Sequence, residues 1–195
     1  MKVLVLGSDG QIGRPLTTYL REQGDGVVEF DNYSNPVTDL RIPGILDYLL
    51  PEIDFVFFLA FDVGGSIYLK QHQNTYEFIS NNIKIMNNTF DSLRKSGTQF
   101  IFASSQMAEM SHSTYGILKL TGEKYTNCLN GKILKFWNVY GVNDTTEKAH
   151  VITDFISMAR SHNRIDMKTD GTESRQFLYA KDCSKCLSIV MNRFD

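Results

Sequence analysis

The stretch from Lys2 to Leu20 constrains the fold more than any other. Lys2 to Leu6 is a run of valine and leucine that stops at Gly7, and a helical spacing of apolar residues resumes at Ile12, Leu16 and Leu20. The pattern predicts a strand, a tight turn and a helix. The turn is Gly-x-x-Gly-x-x-Gly, with its glycines at Gly7, Gly10 and Gly13. In such a turn the first glycine permits the sharp bend, the second lets backbone approach a pyrophosphate, and the third lets helix and strand pack closely. The helix N-terminus behind it offers unpaired N–H groups and a dipole that favour phosphate. A second strand, Val27 to Phe30, ends at Asp31, about twenty positions past the turn, where a carboxylate takes hydrogen bonds from the adenosine ribose hydroxyls. A carboxylate there also repels a 2′-phosphate, which favours NAD over NADP; a nearby basic residue could reverse this, Arg14 being a distant candidate.

Further along, Ile42 to Leu50 reads as a helix and Phe55 to Leu59 as a strand buried on both faces, followed by Ala60. Gly64-Gly65 marks a loop before a long helical stretch from Gln71 to Lys95. Gln99 to Ala103 is the next buried strand, with Ser104 and Ser105 at its carboxyl end, where open parallel sheets bind ligands. Thr114 to Leu129 reads as a helix, Lys132 to Phe136 as a strand, and Val151 to Arg160 and Asp182 to Met191 as helices. Alternating strands and helices predict an α/β fold, a doubly wound, Rossmann-like parallel sheet. No linker composition divides the 195 residues, so a single domain is expected over 1–195.

Net charge is -2 and the isoelectric point about 6.1, which recommends neither nucleic acid nor an anionic membrane as a partner. No apolar run reaches membrane-spanning length, and the N-terminal apolar run is too short for a signal peptide, so a cytoplasmic protein is expected. Three cysteines, Cys128, Cys183 and Cys186, suit reduced thiols. Zinc needs four ligands, and Cys183-x-x-Cys186 has no second pair, so no metal site is expected.

Tyr115 and Lys119 lie four apart on the helix from Thr114, which puts phenol and ammonium on one face. A neighbouring ammonium stabilises phenolate and lowers a tyrosine's pKa, and a serine at the strand end, Ser104 or Ser105, could share the proton.

The glycine turn, Asp31, Asp39-Leu40, Asp54 to Ala60, Asn82, Ser104-Ser105, Tyr115-x-x-x-Lys119, Asn138 to Gly141 and the Gly171 to Asp182 segment occur in one order. Together they resemble an extended short-chain dehydrogenase/reductase of the NAD-dependent epimerase/dehydratase family, which acts on nucleotide-linked sugars. The resemblance implies that Gly7, Gly10, Gln11, Ile12 and Gly13 cradle the pyrophosphate of NAD, Asp31 holds the adenosine ribose, Asp39 and Leu40 lie beside adenine, and Leu59 and Ala60 line the cofactor path. It implies catalytic roles for Ser105, ahead of Ser104, and for Tyr115 and Lys119, with Lys119 also holding the nicotinamide ribose. Asn138, His150 and Arg175 match substrate-binding positions, and 138–195 would form a rudimentary substrate lobe.

By the same resemblance, Tyr115 would take a proton from a sugar hydroxyl, most often at C4, while NAD takes hydride. Dehydratases of the family carry an acidic residue just after the catalytic serine or threonine, where this chain has Gln106-Met107; the nearest carboxylate is Glu109. Asp62 to Gly65 and Ala149 to Ile152 resemble the GDP-fucose synthase branch, yet no cysteine stands near Ser105. The expected activity is therefore a nucleotide-sugar 4-epimerase, with a 4-keto reductase or dehydratase as alternatives. A non-catalytic NAD-binding module, or a partner subunit, is the alternative of another class. A homodimer through the two long helices would fit the family.

Overall fold

The computed structural model describes residues 1–141, 151–167 and 169–194. Five strands, β1 (Lys2–Leu6), β2 (Gly26–Phe30), β3 (Phe55–Phe58), β4 (Gln99–Ser105) and β5 (Lys132–Phe136), form one sheet in the order β2-β1-β3-β4-β5. Every neighbouring pair in it is parallel. The helices are α1 (Gly13–Glu22), α2 (Ser66–His72), α3 (Tyr76–Ser96), α4 (Thr114–Cys128), α5 (Val151–His162) and α6 (Ala180–Asn192). Two short strands, β6 (Asn138–Tyr140) and β7 (Phe177–Tyr179), pair in a separate parallel sheet that the sequence reading did not anticipate.

Strand alternation sorts the core into two layers. Phe55, Phe57 and Ile101 face α1 and α6, packing with Leu16, Leu20 and Leu187. Val56, Phe58, Phe100 and Phe102 face α3 and α4, packing with Phe78, Phe90 and Leu118. Helices on both faces make the sheet doubly wound, as expected. Phe58 meets Phe90 and Phe102 edge-on, both at 5.2 Å between ring centroids. Each fully buried phenylalanine contributes roughly 1.5–3 kcal/mol, so this aromatic seam is a main source of stability on that face.

Two expected helices are corrected. Ile42 to Leu50 is a series of turns ending in a short 3-10 turn at Leu50–Glu52. Pro43 has no N–H to give, and Gly44 adopts φ +71°, so the helical ladder cannot propagate although Leu46 and Leu50 still reach the core. The stretch from Gln71 to Lys95 is two helices, broken at Gln73, Asn74 and Thr75. Thr75 is extended and its hydroxyl accepts from Phe78 N at 3.3 Å, so it starts α3 as an N-cap. Gly97, at φ +70°, ends that helix.

Candidate active site

The sheet order reverses direction between β1 and β3, and a cleft of about 1350 Å³ opens at their carboxyl ends. Open parallel sheets bind ligands at this switch point. Every residue expected at the cofactor lines it: Gly7, Gly10, Gln11, Ile12, Gly13, Asp31, Asp39, Leu40, Leu59, Ala60 and Lys119. The glycine turn is close-packed. Gly7 sits at φ +86°, and a Cβ on it would lie 2.7 Å from Ala60 N; a Cβ on Gly13 would lie 2.1 Å from Gly7 O. No side chain caps α1 and no acidic residue occupies its first turn, whose Arg14 N donates to Gly10 O at 3.1 Å, so no carboxylate competes with a phosphate there.

The rest of the turn is held from several directions. Gln11 Nε2 donates to Val139 O at 2.8 Å, tying the turn to β6. Asp31 accepts from Asp9 N and Tyr33 N, both at 3.0 Å, which fixes its carboxylate at the rim. Asp39 is clamped by Arg41, whose Nε and Nη2 both reach its carboxylate, and this guanidinium holds the Asp39 pKa below the usual carboxylate value. Asn82 is fully buried; its Oδ1 accepts from Asp62 N at 2.7 Å and its Nδ2 donates to Asp62 O, pinning the loop after β3.

At the other end of the cleft, α4 sets Tyr115 and Lys119 one turn apart facing β4. Ser113 caps α4 by accepting from Gly116 N at 3.1 Å. The Ser105 hydroxyl accepts from Met107 N at 3.1 Å and interacts with the Tyr115 phenol so as to favour its ionised form. Lys119 Nζ donates to Ala103 O at 2.7 Å and stands 3.8 Å from the centre of the Phe61 ring. The two serines therefore separate: Ser105 meets Tyr115, whereas Ser104 is buried toward α4 and donates to Glu123 at 2.6 Å.

The expected lowering of the Tyr115 pKa is not what the chain alone provides. Burial pushes the phenol up to about 12, partly offset by the Ser105 hydrogen bond. Burial also pushes Lys119 down to about 7, so at neutral pH its charge is only partly present to stabilise phenolate. The faces of Phe61 and Phe102 oppose that second shift by attracting the cation.

A smaller cavity of about 510 Å³ adjoins the cleft and is lined by Gln106, Met107, Met110, Trp137, Asn138 and Arg175, among others. Asn138 belongs to both cavities, and its Nδ2 donates to Gln176 O at 3.1 Å. Arg175 is exposed, and its guanidinium touches only the neighbouring Ser174 carbonyl among the described residues. His150 lies outside the described residues. Glu109 lines neither cavity; it pairs with Lys135 at 3.0 Å. Among the described residues no group of three or more His, Cys, Asp or Glu side chains could hold a metal.

Gln73 is a cleft residue that the sequence reading missed. Its Oε1 accepts from Ser113 Oγ at 3.0 Å and from Tyr115 N at 3.3 Å, so the break between α2 and α3 serves to hold the start of α4. A Gln-Asn-Thr run is a turn signal that the longer helical pattern on either side concealed.

The sequence model of the NAD dependent epimerase/dehydratase family matches residues 3–195. The chain belongs to that family. Its cofactor is accordingly NAD, and the crowded glycine turn with the uncapped α1 N-terminus fits a dinucleotide pyrophosphate. Among curated proteins, an uncharacterized UDP-glucose epimerase of Bacillus subtilis is 26% identical over 99% of this chain and 73% of its own. UDP-glucuronic acid decarboxylase 1 of Arabidopsis thaliana is 22% identical, and the chain spans 52% of its length. Among solved structures, a UDP-glucose 4-epimerase of Thermotoga maritima superposes with a TM-score of 0.80 at 22% identity, over 98% of this chain and 73% of that one. MoeE5, solved with UDP-glucose and NAD, superposes with a TM-score of 0.80 at 25% identity, over 97% and 71%.

Proposed function

We propose that the chain is a nucleotide-sugar 4-epimerase acting through Ser105, Tyr115 and Lys119. The observation that carries this reading is that Ser105, at the carboxyl end of β4, lines one cleft with Tyr115 and with Lys119 one helix turn on, whose Nζ donates to Ala103 O at 2.7 Å, in a chain of an NAD-dependent family. NAD, when bound, supplies a hydride acceptor at one sugar carbon and the donor that returns it. Gly7, Gly10, Gln11, Ile12 and Gly13 would hold its pyrophosphate, Asp31 its adenosine ribose, Asp39 and Leu40 its adenine, and Leu59, Ala60 and Lys119 its nicotinamide half.

Tyr115 holds the proton that leaves the C4 hydroxyl and gives it back. With its pKa pushed up, the phenol is protonated at rest and must give that proton to solvent before it can take one from the sugar; a charged Lys119 and the Ser105 side chain favour the phenolate so formed. Asn138 and Arg175 would orient the nucleotide diphosphate, since a guanidinium suits its oxygens through paired donors. His150 would join them on the substrate side. Glu109 is turned to Lys135 and lines neither cavity, and no carboxylate follows Ser105 directly, which favours simple epimerisation over dehydration. A homodimer would bring α3 and α4 of two copies together, covering Ile83, Ile117 and Leu120, which are 39–49% exposed.

The test is incubation with NAD and UDP-, GDP- and dTDP-linked hexoses, followed by proton NMR of the anomeric region. Interconversion of C4 epimers is expected with at least one. Accumulation of a 4-keto or 4-keto-6-deoxy product would instead assign a reductase or dehydratase.

A further inference from the structure

Three side chains of α4, each one turn beyond the last, meet three consecutive residues of β4. Tyr115 interacts with Ser105, and both line the cleft. Lys119 Nζ donates to Ala103 O at 2.7 Å, and Ser104 Oγ donates to Glu123 Oε1 at 2.6 Å. The first two contacts belong to the proposed site; in the third, Ser104 lines the cleft but its partner Glu123 lies behind it. Glu123 lines neither cavity and is only 7% exposed, and Ser104 is 3% exposed. The other Glu123 oxygen lies 3.5 Å from Lys135 Nζ on β5, which also bonds Glu109.

A carboxylate buried between a helix and a strand costs several kcal/mol unless it is paired, and an apolar residue beside the phenylalanines of β4 would avoid that cost. What Glu123 adds is directional. Lys119 reaches Ala103 through a long flexible stem and tolerates a sliding helix. The Ser104 hydroxyl is short and fixed to the strand, so its bond to Glu123 breaks when α4 moves along β4 by about half a residue, roughly 1.5 Å of strand rise. A misplacement of about 1 Å is enough to cost a reacting pair on the order of 10²-fold in rate.

We propose that Glu123, acting through Ser104, is a positioning residue that sets the height of α4 on β4 and so keeps Tyr115 on Ser105. Lys135 neutralises the carboxylate, with Glu109 as its second partner; Tyr115 itself is faced by Ser105 from β4, by Lys119 from its own helix and by Phe61 from the loop after β3. The inference rests on the reading of Tyr115 as the reacting group, but its test does not need turnover.

The 195-residue chain is labelled with 13C at the hydroxyl-bearing ring carbon of tyrosine, and the Tyr115 signal is assigned as the one lost in Tyr115→Phe. Glu123→Leu and Ser104→Ala each break the contact from one side, whereas Glu123→Gln keeps an oxygen acceptor of the same reach. The expected result is a shifted Tyr115 signal in Glu123→Leu and Ser104→Ala, and a signal at its original position in Glu123→Gln. Should Glu123→Leu fail to fold, Ser104→Ala, a far smaller change, carries the comparison with Glu123→Gln. An unmoved Tyr115 signal in Ser104→Ala overturns the proposal whatever happens to the melting temperature. So does a shift in Glu123→Gln as large as in the other variants, because charge rather than placement would then be the cause. If Tyr115→Phe keeps full activity, the reading of the site fails instead, independently of these signals.

Discussion

The cofactor side of the cleft and its substrate side are built in different ways. On the cofactor side, β1, β3 and β4 are buried almost throughout, and the glycine turn and α4 are joined by hydrogen bonds to neighbouring backbone. On the substrate side, α5 has no buried residue among those described, Arg175 is exposed, and Phe177 and Tyr179 of β7 are 41% and 36% exposed. The contrast teaches that the fold itself preorganises the NAD half, so changes there affect stability and binding together. Changes on the substrate side should affect affinity alone.

The sharpest way to break this contrast is Gly13→Ala. Its Cβ would press on Gly7 O and Ser8, so the turn must shift; a loss of about 2 kcal/mol or more in urea unfolding and loss of NAD binding by calorimetry are expected together. Normal stability with lost NAD binding would show that the two are separable.

Lys119→Met should act with opposite signs on stability and function. The folded-state pKa of about 7 lies below the unfolded value near 10.5, so the unfolded chain holds more protons between those pH values. The burial penalty is therefore complete below pH 7 and fades as pH rises toward 10.5. Removing the amine should stabilise the chain on the order of 1–4 kcal/mol at pH 6, with the gain shrinking through alkaline pH, while NAD-dependent turnover is lost. Urea midpoints across pH check the first part. Tyr115 works the other way: its raised value contributes stability below pH 10 that is lost as pH climbs toward 12.

On the substrate side, Arg175→Ala should raise KM for a nucleotide sugar roughly tenfold, the loss of one charge-assisted contact, with the melting temperature unchanged. Gln73→Ala, at the border between the two sides, should give the smallest effect. Loss of its acceptor for Ser113 and Tyr115 N should cost about 1 kcal/mol of stability, comparable to a lost helix cap, read by urea unfolding.

The cofactor half was legible in the sequence because its signals are local. A buried strand such as Phe55 to Phe58 is a continuous apolar run, and the glycine turn announces itself by spacing. What failed were features decided by competition or by distant partners. Ile42 to Leu50 has the apolar spacing of a helix, but Pro43 and a left-handed Gly44 outweigh it. The break at Gln73 to Thr75 is rewarded by contacts forty or so positions away, Gln73 with Ser113 and Tyr115 and Asn74 with Thr114, as well as by the Thr75 cap. β6 and β7 are three residues each, too short for alternation to show, and pair across a long gap. Tyr115 and Lys119 were visible by spacing, yet the direction in which burial moves the phenol depends on how completely Phe61 and β4 enclose them. The separation of Ser104 from Ser105 likewise needed Glu123 in place.

Tyr115 is where the account is most exposed. Tyr115→Phe keeps the ring that packs edge-on to Phe61 and removes only the hydroxyl. NAD binding by calorimetry should remain within about twofold, while turnover of the nucleotide sugar that the intact chain epimerises should fall by about 10²- to 10⁴-fold, the usual contribution of a proton-transfer group. Turnover equal to that of the intact chain would contradict the assignment of the proton-transfer site.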